Sequence, residues 1–178
     1  FSPDGESGLF DETQNPTGWL VYPGNLRDWL TTVVVHHSAL GFGLGPREIQ
    51  KFHILDRGFA DIAYHFVIDG FGQLYEGRIL NVRGSHTAGA NTGTVGVVLM
   101  GNFEQMQPLR AQLTTLEKLI TFLASEYAIT HVAGHRDFQP EETACPGASI
   151  EALVPLIAED TGLLYGTGGY VDPPWMAG

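Results

Sequence analysis

The chain has 178 residues, 43% of them hydrophobic, which suits one globular domain whose core needs no disulfide. Nine basic against twenty acidic residues give a formal charge of −11, which argues against nucleic acid or an anionic membrane surface as the main partner, since both are bound largely through Lys and Arg. No apolar run approaches the roughly 20 residues that span a bilayer, and the only cysteine, Cys145, cannot close an intrachain bridge.

The two ends of the chain lack the periodicity of a helix or a strand. Residues 1–30 are rich in acidic residues, Gly, Pro and Asn, and they predict an irregular N-terminal arm that apolar residues such as Trp19 and Trp29 hold against the domain. Residues 163–178 are rich in Gly and Pro and predict a C-terminal tail. The domain itself is predicted over residues 31–162.

Strand and helix patterns alternate in the first half of this domain. The β-branched run at 31–37 predicts a buried strand. Residues 46–57, with Pro46 in the first turn and Gly58 after the last, predict a helix. Residues 64–69 and 73–76 flank an Asp-Gly-Phe-Gly turn and predict a hairpin.

The second half continues the alternation. Residues 95–100 predict a buried strand, and apolar residues from Leu116 to Tyr127 recur at helical spacing behind a Thr114 or Thr115 cap. A strand at 130–133 follows, and then a helix at 150–157 that Pro155 either kinks or begins. The pattern predicts an α/β fold in which helices cover a sheet, and the hairpin argues against a purely parallel sheet.

Three residues suited to bind a metal follow these strands. His36 ends the first strand, His135 follows the strand at 130–133, and Cys145 lies in the next loop, so packing of adjacent strands could bring them to one end of the sheet. Each residue alone is more often an ordinary core or surface residue. Together, imidazoles and a thiolate suit zinc rather than magnesium or calcium. Three ligands that leave a position for water indicate a zinc hydrolase with one zinc ion per chain.

Five ordered motifs carry a family resemblance. They are VVVHHS at 33–38, GFADIAYHFVI at 58–68, GSH at 84–86, GVVLMGNF at 96–103, and GHRD at 134–137 with CPG at 145–147. Over about residues 30–160 the chain resembles the zinc-dependent N-acetylmuramoyl-L-alanine amidases, a family that includes phage lysozyme-type endolysins and peptidoglycan recognition proteins. The resemblance implies a mixed central sheet flanked by helices, with zinc bound by His36, His135 and Cys145. The implied reaction is hydrolysis of the amide between N-acetylmuramic acid and L-alanine.

Two further residues receive catalytic roles from the resemblance. Tyr64 matches the active-site tyrosine of the family, whose phenol could hydrogen-bond the attacking water or the developing oxyanion. Phage lysozyme-type members have Lys two residues before the Cys, whereas this chain has Thr143, as several recognition-protein amidases do. Because Thr donates a hydrogen bond but carries no charge, we expect Thr143 to position the substrate or the oxyanion. The general acid stays open, since the adjacent Glu141 and Glu142 fit an ordinary solvated loop equally well.

Substrate contacts are also implied by the resemblance. His86 matches a family histidine that lines the substrate groove, which makes it a substrate contact rather than a fourth metal ligand. Asn91, Asn102 and Arg83 are further candidates for contacts to peptide carboxylates or backbone, and a plain surface position explains Arg83 equally well.

The other histidines receive supporting or structural roles. Successive strand residues face opposite ways, so we expect His37 to support the site from behind and His65 to point into the core. His53 and His131 are interpreted as ordinary structural residues. Asp137 is expected to brace one of the two residues that precede it.

Three functions remain open at this point. The leading hypothesis is the amidase. A recognition module that binds peptidoglycan without cutting it is the second, and Cys145 argues against it because non-catalytic relatives typically lose this ligand. A structural zinc module is the third, and it usually requires four protein ligands. We expect a monomer that binds peptidoglycan or a muropeptide without membrane insertion. The resemblance implies a protein that is secreted, periplasmic or released by a phage, although no N-terminal segment resembles a signal peptide.

Overall fold

A six-stranded sheet forms the centre of the described part of the molecule. The structure is a computed structural model that describes residues 21–22, 24–41 and 44–168, so predictions for residues 1–20 and 169–178 lie outside it. The strands are β1 (Thr32–His37), β2 (Phe66–Ile68), β3 (Leu74–Glu76), β4 (Thr94–Leu99), β5 (His131–Gly134) and β6 (Leu164–Tyr165). Their order is β3-β2-β4-β1-β5-β6. The hairpin pair β2–β3 is antiparallel and the other neighbours are parallel, which confirms the expected mixed sheet.

Helices cover both faces of this sheet. They are a 3-10 turn (Leu26–Asp28), α1 (Pro46–Lys51), which continues as a π-helical segment (Phe52–Asp56), α2 (Arg110–Glu126), α3 (His135–Phe138), α4 (Ala148–Glu151) and α5 (Val154–Asp160). On one face, apolar residues of α2, α4 and α5 join the larger core cluster. On the other face, Ile49 of α1 packs with Val67, Val98 and Met100 in a smaller cluster.

The burial and register of the central strands determine which strand ends lie next to each other. All six residues of β1 and all six of β4 are buried, as expected for parallel strands covered on both faces. The register pairs Val35 of β1 with Gly134 of β5, and His36 with Val98 of β4. The carboxyl ends of β1 and β5 therefore lie side by side, which brings His36 next to the chain that continues into His135.

Two predicted helices begin at other residues than expected. Thr114 and Thr115 lie inside α2 rather than capping it, because the Gln112 side chain accepts the N–H of Leu109 (3.1 Å) and starts the helix earlier. The predicted helix at 150–157 is divided into α4 and α5, and Pro155 lies in the first turn of α5, where no amide donor is needed.

Parts of the predicted arm and tail are built into the described fold. Tyr22 is buried, and its hydroxyl oxygen accepts the N–H of Gly93 (2.9 Å). At the other end, β6 pairs in parallel with β5, so the sheet extends past residue 162. No helix among the described residues is long and apolar enough to span a bilayer.

Candidate metal centre

The three predicted metal ligands converge at the carboxyl end of the sheet. One donor atom from each of His36, His135 and Cys145 lies within 4.8 Å of the others, so the three side chains could hold one metal ion. The ring centroids of the two histidines are 4.6 Å apart, and Cys145 Sγ lies 3.4 Å from His36 Nδ1. His36 is fully buried at the end of β1, whereas His135 and Cys145 are half-buried.

The protonation states of these groups fit a divalent cation. Burial, followed by repulsion from His86, lowers the pKa of His36 well below its usual range, and burial also lowers the pKa of His135. Both rings are therefore neutral at pH 7 and offer lone pairs. Burial raises the pKa of the Cys145 thiol to about 12. A bound cation reverses that effect because it favours the thiolate, so the donor set as a whole suits zinc.

Arg136 fastens the loop that carries Cys145. Its guanidinium donates to the carbonyl oxygens of Thr143 (3.3 Å) and Ala144 (2.6 Å) and pairs with the Glu104 carboxylate (2.7 Å). The Thr143 hydroxyl oxygen then accepts the Cys145 N–H (3.1 Å). Thr143 is therefore part of the turn that presents the thiol.

The turn into His135 is held by a second set of polar contacts. Asp137 accepts the Gly134 N–H through Oδ2 (2.8 Å) and the Tyr165 hydroxyl through Oδ1 (2.5 Å). Asp137 thus braces the backbone immediately before His135, and Tyr165 of β6 extends that brace. The Gln139 side-chain oxygen accepts from His135 Nε2 (2.7 Å). Gln139 and Tyr165 were not predicted from the sequence.

Tyr64 lies beside His36. The two ring centroids are 5.0 Å apart. Burial, reinforced by the nearby Cys145, raises the pKa of the Tyr64 phenol far above its usual range. The hydroxyl therefore stays protonated at neutral pH and can donate a hydrogen bond.

His86 is buried against His36. Its Nδ1 lies 3.0 Å from His36 Nε2 and 2.9 Å from the Thr87 hydroxyl, and the residue is only 6% exposed. The Asn91 side-chain oxygen accepts the backbone N–H groups of both His86 and Thr87 (2.8 Å each). The oxygen of Asn91, a predicted substrate contact, is therefore engaged within the protein and shapes the loop that carries His86.

A cleft of about 510 Å³ opens beside Tyr64 and His86. One wall is formed by α1, the π-helical segment and the residue that follows it, and this wall combines apolar and polar side chains. The lining residues from this wall are Glu48, Ile49, Phe52, His53 and Arg57. This wall was not predicted from the sequence, although residues 48, 49, 52 and 53 share one helical face next to the Tyr64 motif, and that spacing could have indicated it.

The remaining predicted contacts lie away from the lining of this cleft. Asn102 accepts the Glu104 N–H through its side chain (3.2 Å). Arg83 is half-exposed, and its carbonyl oxygen accepts from the buried Arg78 (2.8 Å).

His37, His65 and His53 hydrogen-bond backbone groups of the protein. His37 Nδ1 accepts the Phe103 N–H (3.2 Å), and the His37 N–H points at Cys145 Sγ (3.4 Å), so His37 backs the site. His65 is fully buried, and its Nδ1 accepts the Gly96 N–H (3.0 Å). His53 accepts the Ala63 N–H (3.1 Å), and burial lowers its pKa to about 4.

Comparison with known proteins identifies the family of this chain. Residues 26–148, which include all three candidate ligands, match the N-acetylmuramoyl-L-alanine amidase family. The chain belongs to this amidase family. Mouse peptidoglycan recognition protein 1 is 37% identical over 136 residues, which are 68% of this chain and 72% of that protein.

Solved structures of this amidase family share the fold. N-acetylmuramoyl-L-alanine amidase LysC from Clostridium intestinale is 31% identical with a TM-score of 0.69, over 75% of this chain and 86% of that one. Drosophila PGRP-LB is 32% identical with a TM-score of 0.67, over 79% and 85%. A mutant of that Drosophila protein was solved in complex with tracheal cytotoxin. The similar proteins thus include both an amidase and recognition proteins.

Proposed function

We propose that this chain is a zinc-dependent N-acetylmuramoyl-L-alanine amidase that separates the stem peptide of peptidoglycan from its glycan. The observation that carries the proposal is the convergence of His36, His135 and Cys145 beside Tyr64, which lines the cleft. The named amidases among the similar structures support it.

The donor set of two neutral imidazoles and one thiol fits zinc, and His36, His135 and Cys145 would hold it. When bound, zinc lowers the pKa of water to about 7 and polarises a carbonyl group. The cleft beside the site would hold the substrate, with Ile49 and Phe52 on its helical wall excluding water from one side of the scissile amide.

Tyr64 would stabilise the oxyanion that develops on the amide carbonyl. Its phenol remains protonated because the site is buried, and it lies directly beside His36. A neutral donor fixed in place stabilises charge that appears only in the transition state. Thr143 would add a second donor, since its oxygen already accepts the Cys145 N–H and its own proton can turn toward the substrate.

The second candidate function is recognition of peptidoglycan without hydrolysis. The likeness to recognition proteins, including the Drosophila protein in complex with tracheal cytotoxin, favours it. The presence of Cys145 among the converging ligands favours the enzyme.

The deciding experiment incubates the zinc-loaded protein with purified sacculi and measures new L-alanine amino termini, while co-sedimentation measures binding. The amidase releases termini at a rate that depends on zinc. Binding without release by zinc-loaded protein would instead establish recognition. Cys145→Ser should lose zinc and activity with its circular dichroism unchanged. Ala144→Ser, which adds a hydroxyl to the exposed neighbouring residue, is the matched control and should stay active.

A further inference from the structure

We propose that His86 is a positioning residue that fixes the tautomer and ring orientation of His36, so that Nδ1 of His36 is presented to the metal. This inference rests on the proposed zinc site. It assigns His86 a role through His36 rather than as a contact in the substrate groove.

The two nitrogens of His36 face different partners. Nδ1 lies 3.4 Å from Cys145 Sγ, on the side of the candidate metal site. Nε2 lies 3.0 Å from His86 Nδ1, which is the distance of a hydrogen bond. A ring that binds a metal through Nδ1 carries its proton on Nε2. His86 Nδ1 must then accept that proton, and the proton of His86 itself must reside on Nε2.

The surroundings of His86 fit the accepting arrangement. The Thr87 hydroxyl lies 2.9 Å from the same Nδ1, and in this tautomer it shares the single Nδ1 lone pair with the His36 proton. On the other side of the ring, Nε2 is fully buried, and the backbone of Thr94 is a further hydrogen-bond partner of the ring.

Two glycines form the slot into which the His86 ring fits. A Cβ on Gly84 would lie 2.4 Å from His86 Cδ2 and 2.8 Å from Nε2, and a Cβ on Gly96 would lie 2.5 Å from Cδ2. Any side chain at either position would push the ring from its place against His36. Gly84 comes from the loop before His86 and Gly96 from the middle of β4, so the slot is built by two separate segments.

The loop around His86 is also fixed from behind. Asn91 binds the backbone N–H groups of His86 and Thr87 with one oxygen (2.8 Å each). The side chain of His86 therefore enters the slot from a rigid turn. Partners of this kind, which hold the second nitrogen of a metal-binding histidine, typically contribute 10–100-fold to metal affinity.

The test compares His86→Asn with His86→Leu. The two side chains have nearly the same shape, but only Asn offers an oxygen near the place of Nδ1. Zinc affinity is measured by competition with a chromophoric chelator, and cobalt spectra report the ligand field. We expect His86→Leu to weaken zinc binding about 10–100-fold, and His86→Asn to recover most of the loss.

Three results would overturn the inference. Equal zinc affinity in wild type and both variants would show that His86 does not contribute to metal binding. Equal weakening in both variants shows that ring shape matters rather than the acceptor. A raised KM with unchanged zinc affinity shows that His86 contacts substrate. Failure of the wild type itself to bind zinc would contradict the proposed function instead, so the two failures are distinguishable.

A second measurement needs no variant. Long-range ¹H–¹⁵N spectra of the zinc-loaded wild type assign the protonated nitrogen of each histidine. We expect protons on Nε2 of both His36 and His86. A proton on Nδ1 of His86 would overturn the inference even if both variants failed to fold.

Discussion

The candidate metal centre has two unlike sides. His36 comes from a fully buried central strand and contacts a buried histidine in a slot of glycine backbone. His135 and Cys145 are half-buried and come from the short helix and loop after β5, where polar side chains hold the backbone. The strand side is part of the core, so it should respond to substitution as core does. The loop side depends on individual hydrogen bonds, so its ligands can be lost without loss of the fold.

The largest expected effect is a difference in the free energy of unfolding between a substitution on the strand side and one on the loop side. His36→Ala and Cys145→Ser should both abolish zinc binding. In the presence of chelator, His36→Ala should also lower the free energy of unfolding by about 2–4 kcal/mol, because it leaves a cavity and removes the hydrogen-bond partner of His86. Cys145→Ser should cost less than about 1 kcal/mol, because the site is half-buried and the volume changes little. Urea unfolding measures both, and equal costs would contradict the comparison.

The next effect concerns acid stability on the strand side. Burial lowers the pKa of His65 to about 4, whereas the unfolded chain has an ordinary value near 6.5. As pH falls from 6.5 toward 4, the unfolded state binds a proton that the folded state refuses, so stability is complete above this range and decreases within it. The difference between the folded and unfolded pKa values of His65 corresponds to a loss of roughly 3 kcal/mol in the free energy of unfolding across this range.

Urea unfolding of chelator-treated protein at pH 7 and pH 5 tests the contribution of His65. In His65→Gln the amide can still accept the Gly96 N–H and donate to the Val82 carbonyl, the two contacts of the imidazole, without titrating. The loss of stability between the two pH values should therefore be smaller than in wild type. His131→Gln, at the half-exposed start of β5, should keep the wild-type loss. An unchanged pH dependence in His65→Gln would contradict the assignment.

On the loop side, Arg136→Ala should weaken zinc binding about 10-fold while the fold is kept, because the carbonyl groups of Thr143 and Ala144 lose their shared donor. Competition with a chelator measures the affinity. Arg27→Ala is the matched control, since the Arg27 guanidinium donates to the Ser125 carbonyl (3.0 Å), and both residues precede β1 and β5, whose opposite ends lead to the site. Unchanged affinity in Arg136→Ala would mean that the loop holds Cys145 by other contacts.

The same contrast explains what the sequence could predict. β1 and β4 were predicted within a residue at each end because a β-branched run buried on both faces has few alternatives. The family resemblance and the convergence of the three candidate ligands depend on motifs that lie beside these strands. β6 has only two residues, in a stretch rich in Gly, and its pairing with β5 brings together residues more than 30 apart, so nothing local indicated a strand.

Side-chain partners across the fold were equally hard to predict. A motif places His86 in the loop after residue 84, but its contact with His36 depends on the register of β1 beside β4. Asn91 was expected to face the substrate, and only the folded loop shows its oxygen on two backbone N–H groups. Short polar side chains bond nearby backbone so readily that sequence alone does not separate this use from ligand contact.

The smallest expected effect comes from the segment predicted as a tail. The Tyr165 hydroxyl donates to Asp137, which holds the backbone before His135, so β6 is linked to a candidate metal ligand through two hydrogen bonds. Tyr165→Phe removes one hydrogen bond, worth about 1 kcal/mol, and should weaken zinc binding about 5-fold. The matched control is Tyr75→Phe, since the Tyr75 hydroxyl donates to Asp69 (3.0 Å) in the β2–β3 hairpin.

Both variants lose one tyrosine–aspartate hydrogen bond, so their losses of stability should be similar, and only Tyr165→Phe should change zinc affinity. Equal zinc affinities in the two variants would show that the loop side is independent of the edge strand. A weaker affinity in Tyr165→Phe alone would extend the polar scaffold of the loop side to β6. The candidate ligands of the loop side would then depend on a strand outside every recognised motif, whereas His36 depends on its buried neighbours in the core and on His86.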